Sequence, residues 1–447
     1  MGTESVIDDT TEWTRRLPSL SGRFETDAAA ATAFLGAGQD LLAALGPKPK
    51  RDERAQTVAE RVIGLSRGLR EDFMNRHAEP VYDELTQGRR RHLLLTDLVY
   101  TAAQRFPGLV PSRALMEAES GLAQQDKDGL EIDQGVFVRA VLRSPAAGGH
   151  LLATMRLPSP AALELLGRFR ETGSVALETL SLERRRTAAH LTFENQRCLN
   201  AEDNKLIRDM ETAVDLALLD EQVQVGVLRG AVMTHPRYRG RRVFSAGINL
   251  KDLHEGRISY LDFLLRRELG YISKLIRGVL PEPGREAVQK PWVAAVDSFA
   301  IGGGMQLLLA ADWVIAADDA FFSLPAAQEG IVPGAANLRL GRHAGARLAR
   351  RVILGGQRIH ASSAEAGAFC DEVVPPAAMD AAIEAAALAM SGPAVVANRM
   401  MLNLAEEPED GFRAYMAEFA LVQARRMYSE DVIGKVGRFT ASAERGR

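Results

Sequence analysis

The chain has 447 residues, of which 46% are hydrophobic and 25% charged, and its 55 Lys and Arg against 58 Asp and Glu leave a net charge of −3. This is a globular composition that excludes a disordered, collagen-like or rod-like chain, and at about 150 residues per domain it predicts two or three folded units. The near-neutral balance gives no general attraction to nucleic acid or to an anionic membrane, so any bound anion must be met by local patches.

Cys198 and Cys370 are the only cysteines, without CxxC or Cys/His spacing. That excludes a disulfide scaffold and a zinc motif, and it fits a reducing cytoplasm. The amino-terminal MGTESVIDDTTEWTRR lacks a basic segment followed by an apolar core, and no run reaches about 18 uninterrupted apolar residues, so neither export nor a membrane span is expected.

Residues 1–185 are expected to form an all-helical amino-terminal domain. From about residue 27, stretches such as AAAATAFLGAGQDLLAAL and AALELLGRFRETGSVALETLSLERRR carry apolar residues at three- and four-residue spacing. The run DKDGLEID resembles a calcium loop only superficially, because Gly129 is fourth rather than sixth and Phe137 stands where the bidentate glutamate belongs. After residue 186 the period changes. HLTFEN, VQVGVLRGAV and PWVAAVDSFAI are short β-rich runs alternating with helical stretches, which predicts an α/β domain over 186–375. Residues 376–447 return to helix, a segment suited to oligomer contact and to covering the site.

Two glycine turns carry the chemistry. In Phe244-Ser245-Ala246-Gly247-Ile248-Asn249-Leu250 a strand enters a turn and then a helix, and in Ile301-Gly302-Gly303-Gly304-Met305-Gln306 the VAAV strand does the same. Glycines let backbone approach a ligand, and a turn opening a helix presents unpaired N–H groups at the positive end of its dipole. Two such turns are the elements of an oxyanion hole.

Residues 290–374, from KPWVAAVDSFAIGGGMQLLLAADW to GAFCDEVVP, closely resemble the signature of the crotonase, or enoyl-CoA hydratase/isomerase, superfamily, and the resemblance extends over about 186–403. It implies a crotonase-like spiral of β-β-α units that binds a bent acyl-CoA and holds the thioester oxygen between two backbone N–H groups, here those of Ile248 and Gly303. It further implies that the Ala246 carbonyl meets adenine and that Arg197 contacts CoA phosphate. The basic run from His235 through Arg237 to Arg242 lies where a 3′-phosphate or pyrophosphate would be bound, and is equally readable as a surface loop.

The departures from the family are informative. Hydratases carry a glutamate two residues after the triple glycine and another after the proline of the later LP motif, whereas this chain has Gln306 and Ala326. Gln306 cannot act as a base and Ala326 has no polar group, so hydration is disabled while enolate stabilisation is kept. Glu329, where the family is apolar, reads as a loop carboxylate or a relocated base. Glu202 stands at an apolar position of the acyl pocket. A carboxylate there either faces solvent or, with Arg267 on the following helix, reads substrate hydroxyls. Ala326 and Ile331 are candidate walls of an apolar niche for O₂.

Together with the long helical amino-terminal part and the EGIVPGAANLRL text, these departures resemble the oxygenase branch of the superfamily. That implies a dioxygenase converting a hydroxylated aryl-acetyl-CoA and O₂ to an arylglyoxylate and free CoA, with no metal, flavin or other cofactor. It also implies a cytoplasmic homo-oligomer, a trimer or hexamer, without nucleic-acid or membrane partners. The chain offers no HxH, HExxH or GxGxxG motif. The alternatives are an isomerase or thioesterase of the same fold, or a non-enzymatic acyl-CoA-binding protein.

Overall fold

The structure, a computed structural model, describes residues 3–432. The chain forms two compact units. One comprises residues up to Thr154, His254–Arg257 and the segment from Arg413; the other comprises Met155–Leu253 and Ile258–Phe412.

The first unit is helical: α1 (Thr3–Arg15), α2 (Phe24–Leu45), α3 (Glu53–Thr86), α4 (Leu95–Arg105), α5 (Arg113–Ser120), α6 (Leu130–Arg143) and α7 (Pro145–Met155). Asp52 caps α3 by accepting from the Ala55 amide at 2.8 Å, and α3 kinks at His77, where Pro80 interrupts the backbone ladder. The kinked His77 ring meets buried Asp27 of α2 at 2.8 Å. By length and composition α2 would suit a membrane span, yet Ala31, Phe34, Leu35 and Gly38 are buried, and the Trp13 indole of α1 donates to the Phe34 carbonyl. The DKDGLEID run opens α6, with Asp128 paired to Arg51 and Asp133 to Arg67 and Arg70.

The second unit starts with α8 (Pro160–Thr172), β1 (Ser174–Ala176), β2 (Leu180–Arg185) and β3 (Ala188–Phe193). Here the structure departs from the expected helical stretch and from a domain border at residue 185. Gly173 takes the left-handed conformation, φ 67°, and ends α8. Beyond it Leu180 and Leu182 are buried at two-residue spacing, and β2 turns at Arg186, φ 55°, to pair antiparallel with β3. The carboxy-terminal residues are likewise shared between the units, with the change at Phe412 to Arg413.

The unit continues through α9 (Asn204–Leu219), β4 (Val225–Gly230), α10 (Leu250–His254), two π-helical segments (Tyr260–Leu265 and Glu268–Ile272), α11 (Ser273–Arg277), β5 (Trp292–Val296), β6 (Phe299–Ile301) and α12 (Gly303–Leu308). Then follow β7 (Trp313–Ala317), β8 (Phe321–Ser323), α13 (Ala326–Glu329), α14 (Ala336–Ile353), β9 (Ile359–His360), β10 (Glu372–Val374), α15 (Met379–Met390) and α16 (Pro393–Glu406); α17 (Glu409–Met427) begins in this unit and belongs to the first from Arg413 onward. Strands β1-β2-β3-β4-β5-β7-β10 form one sheet, parallel from β3 to β10, with Leu191 beside Leu228 and Val227 beside Val293. Strands β6-β8-β9 form a second sheet. The uniformly buried WVAAV of β5 is the run expected of a strand covered on both faces. Crossovers from the parallel strands deliver both glycine turns.

Candidate active site

The two turns lie side by side. Ser245 pairs with the β6 strand, receiving the Ile301 amide at 3.0 Å, and Gly302, φ 52°, donates to the Ser323 carbonyl at 2.7 Å. A Cβ placed on Gly302 would stand 3.3 Å from the Gly247 Cα and 4.0 Å from the Ile248 nitrogen, so the turns are at van der Waals separation. Gly303 is the first residue of α12, whose opening amides have no intrahelical partner. Among the described residues, neither the Ile248 nor the Gly303 amide donates to another protein group. The geometry therefore leaves both expected donors available to an oxygen that gathers negative charge.

Glu202 is fixed against the first turn. Its amide donates to the Gly247 carbonyl at 2.6 Å and its carbonyl accepts from the Asn249 amide at 2.9 Å. This placement depends on Leu199 and Asn200, consecutive residues with φ near 56° that carry strain; buried Asn200 offsets it by donating to the Val243 carbonyl and accepting from the Ser245 hydroxyl.

The Glu202 side chain is buried and met by protein donors rather than by solvent. Oε1 accepts from Arg267 Nε and Nη2 at 3.0 and 2.9 Å and from the Tyr271 hydroxyl at 3.2 Å. Oε2 takes a longer contact from Nε and points at Gly303, where a Cβ would come within 1.7 Å of it. Only glycine fits there.

Arg267, expected to face the ring, has all five of its N–H groups engaged. Nη2 also donates to the Gly303 carbonyl at 2.8 Å, and Nη1 donates to Glu268 Oε1 and Gln306 Oε1, both at 2.8 Å. Burial opposes its charge, yet Glu202 foremost holds the guanidinium protonated above its ordinary range. Burial also pushes the Tyr271 phenol well up. The site thus contains a buried ion pair aimed at the second turn, with Arg267 placed to hold Glu202 and Gln306 instead of offering a donor of its own.

Regular helical spacing along YLDFLLRRELGYISKLI would place Arg267 beside Tyr260, Leu264 and Tyr271; the segment winds in part as π-helix, and the Tyr271 ring lies 5.9 Å from the Arg267 guanidinium. Arg266 and Arg267 lie between the two π-helical segments and face different partners: Arg266 pairs with Glu211, and Arg267 with Glu202. Also missed were Glu268 and Arg339, both buried. Arg339 pairs with Glu407, whose carboxyl burial would raise but Arg339 and Arg277 bring down to about 2. Adjacent charges inside an otherwise apolar run, LLRRELGY, were the available signal.

Ala326 is buried at the start of α13, and Ile331, half-buried, donates its amide to the Ala326 carbonyl. Glu329, half-buried three residues along the same helix, has its carboxyl pushed up to about 7 by burial. Exposed Arg197 adjoins the first turn through Leu199, whose carbonyl accepts from the half-buried Ala246. In the basic run Arg241 pairs with Asp319, Arg242 donates to the Gly230 carbonyl, and Arg237 is exposed with its guanidinium 5.6 Å from the Tyr238 ring. His235 caps the short turn at 236–238. Among the described residues no group of three His, Cys, Asp or Glu side chains is placed to hold a metal ion.

Known proteins share this arrangement of sequence. The enoyl-CoA hydratase/isomerase family matches residues 183–411. A (3,5-dihydroxyphenyl)acetyl-CoA 1,2-dioxygenase from Amycolatopsis orientalis is 58% identical over 406 residues, covering 90% of this chain and 94% of its own. Carnitinyl-CoA dehydratase from Escherichia coli K12 is 30% identical over 262 residues, 57% of this chain and 93% of its own. The crystal structure of an enoyl-CoA hydratase from Mycobacterium avium subsp. paratuberculosis K-10 aligns over 59% of this chain and 99% of its own, with a TM-score of 0.49 and 22% identity.

Proposed function

The chain belongs to the enoyl-CoA hydratase/isomerase family, and from that premise we propose that it catalyses the oxidation of (3,5-dihydroxyphenyl)acetyl-CoA by O₂ to 3,5-dihydroxyphenylglyoxylate and free CoA. The carrying observation is a site that keeps both turn amides available while Gln306 and Ala326 occupy the two positions of the hydratase glutamates. Such a site stabilises an enolate and has nothing at those positions to activate water.

The Ile248 and Gly303 amides hold the thioester oxygen and lower the barrier to losing a Cα proton. The resulting carbanion passes an electron to O₂, and recombination forms a Cα peroxide. Its terminal oxygen attacks the thioester carbonyl, the O–O bond breaks as the remaining Cα hydrogen leaves, and CoA departs as thiol. Both atoms of O₂ enter the product, one as the ketone and one in the carboxylate, and the electrons balance without a metal, flavin or other cofactor. Glu202 accepts from a ring hydroxyl through Oε2, with Arg267 holding it in place; Ala326 and Ile331 line the niche for O₂. Arg197, His235, Arg237 and the Ala246 carbonyl contact the CoA moiety. We place the enzyme in the reducing cytoplasm, consistent with two free cysteines, and as a trimer-based homo-oligomer.

Glu329 favours a second reading. A carboxyl with its affinity for protons raised into the neutral range suits a base in an isomerase or thioesterase. Incubation of the thioester under ¹⁸O₂, with CoA release followed with and without oxygen, separates the two. Double labelling of the acid and no release without oxygen are expected. CoA release at the aerobic rate under strict anaerobiosis eliminates the oxygenase.

A further inference from the structure

Gln306 is held in one orientation by a chain of buried charges. A guanidinium only donates, so the Gln306 atom that meets Arg267 Nη1 at 2.8 Å is Oε1, and Nε2 is left as a donor on the other side of the amide. The same Nη1 donates to Glu268 Oε1 at 2.8 Å, and Glu268, 1% exposed, therefore fixes where Nη1 lies. Among the described residues Glu268 Oε2 has no hydrogen-bond partner, and it stands 3.5 Å from Arg339 Nη1. Arg339 is anchored in turn by Glu407, at 2.8 and 3.1 Å. The backbone makes room for this packing: at Gly334, φ 46°, a Cβ would lie 2.0 Å from Glu268 Oε1 and 2.9 Å from Gln306 Oε1.

We propose that Glu268 is a positioning residue for the oxygenation: it aims Arg267 Nη1 so that Gln306 presents its Nε2 donor, and not its oxygen, to the oxygen atoms gathering negative charge beside the reacting carbon. This rests on the oxygenase reading. Without Glu268 one Nη1 hydrogen is left buried without an acceptor, and the planar guanidinium, still held by Glu202 through Nε and Nη2, tilts away from its bond to Gln306 Oε1, so the amide loses its bias. A flipped amide sets an acceptor against an anionic oxygen, which removes a stabilising donor and adds a repulsion. The bonds from Nε and Nη2 to Glu202 do not involve Glu268, so binding of the thioester is spared.

The test uses the full-length chain and the dihydroxy thioester, with O₂ uptake, CoA release and solvent exchange at Cα measured together. Glu268→Ala is expected to lower kcat for oxygenation about 10- to 100-fold while KM for the thioester stays within about threefold, the range of losing one aligned donor. Exchange per turnover rises, because the enolate forms but reacts more slowly with O₂. Glu268→Gln, which keeps an acceptor for Nη1, recovers a large part of kcat. Adding Gln306→Leu to Glu268→Ala costs little more, since the two act as one unit. If Glu268→Ala does not fold, Glu268→Asp, which withdraws the carboxylate from Nη1 while keeping its charge, is expected to show the same loss of kcat at constant KM. Unaltered kcat and exchange, a loss confined to KM, or additive losses in the double variant overturn the proposal alone. A wild-type enzyme that releases CoA equally fast without oxygen overturns the oxygenase reading, and this proposal with it.

Discussion

At Gly303 one hydrogen atom separates the observed packing from a clash. A Cβ there would sit 1.7 Å from Glu202 Oε2 and 3.1 Å from Arg267 Nη2, and both partners are locked in a buried network. Any side chain must therefore move either the carboxylate or the amide, and a proline could not isolate loss of the N–H from this clash. Gly303→Ala is expected to lower kcat/KM by about 10²- to 10³-fold, while Ile248→Ala, which keeps its amide, stays within about tenfold. Equal losses in the two variants would remove Gly303 from the special place given to it. Ala326 poses the opposite problem, since its small side chain leaves the space of the hydratase glutamate. Ala326→Leu should raise KM for oxygen or increase Cα exchange per turnover while leaving thioester binding in place. An enzyme with unchanged oxygen dependence and unchanged exchange moves the oxygen niche elsewhere. Glu329 gives a pH signature. Its folded carboxyl titrates near 7 against an ordinary 4.5, so the folded state holds a proton that the unfolded chain releases first. Its contribution is fully present below about 4.5 and is lost as pH rises through about 7. Glu329→Gln should melt above wild type beyond pH 7, with the two curves converging toward pH 4.5. Parallel melting curves across that window would show the carboxyl to be solvated.

The element that carries Arg267 is held from behind by a second charge cluster. Lys274, wholly buried, donates to Glu211 at 3.0 Å and pairs with Asp215 at 2.7 Å, Asp215 accepts the Ser159 amide, and Arg266 closes on Glu211. Burial opposes the Lys274 charge, but Asp215 and Glu211 hold it above its ordinary value. Lys274→Met leaves buried Asp215 without a cation and Glu211 with Arg266 alone, so unfolding should require about 3–5 kcal/mol less, measured by urea titration. A loss below about 1 kcal/mol would mean that the carboxylates take up protons and relax. None of this was legible beforehand. The glycine turns could be read from sequence because a glycine run after a β-rich stretch leaves few local alternatives, and the alternation in HLTFEN is the alternating burial of β3. The hairpin at 180–193 was hidden because LETLSLERRR satisfies a helical period as well as an alternating one, and only Gly173 marks the break. The π-helical winding was hidden because it changes the spacing of neighbours along the helix without changing composition. Glu202 was seen as an anomaly, but its partners come from helices more than sixty residues away in sequence, and such pairing is decided by the fold.

At the scale of the molecule, α16 joins the inner network to an outer apolar face. Inward, Arg399 pairs with Asp312 at 2.7 Å and donates to the Ile276 carbonyl, and Asn403 donates to the same carbonyl at 2.8 Å. Immediately beyond the helix, Glu407 receives Arg277 and Arg339, the second of which lies against Glu268. Outward, Met400, Met401, Leu402 and Leu404 are 48–61% exposed. Four large apolar side chains within five positions exceed the scattered exposure normal for a monomer surface and fit contact with another copy. Because one short helix serves both faces, contact on the outside also restrains Arg399, Asn403 and Glu407 on the inside. Leu402→Glu combined with Met401→Glu should therefore shift the proposed trimer-based assembly to monomer in sedimentation. Turnover should fall in the same variant although no residue of the turns has changed, and it should recover when the assembly is restored by higher protein concentration. A wild-type chain that sediments as a stable, fully active monomer would remove both the assembly and this coupling.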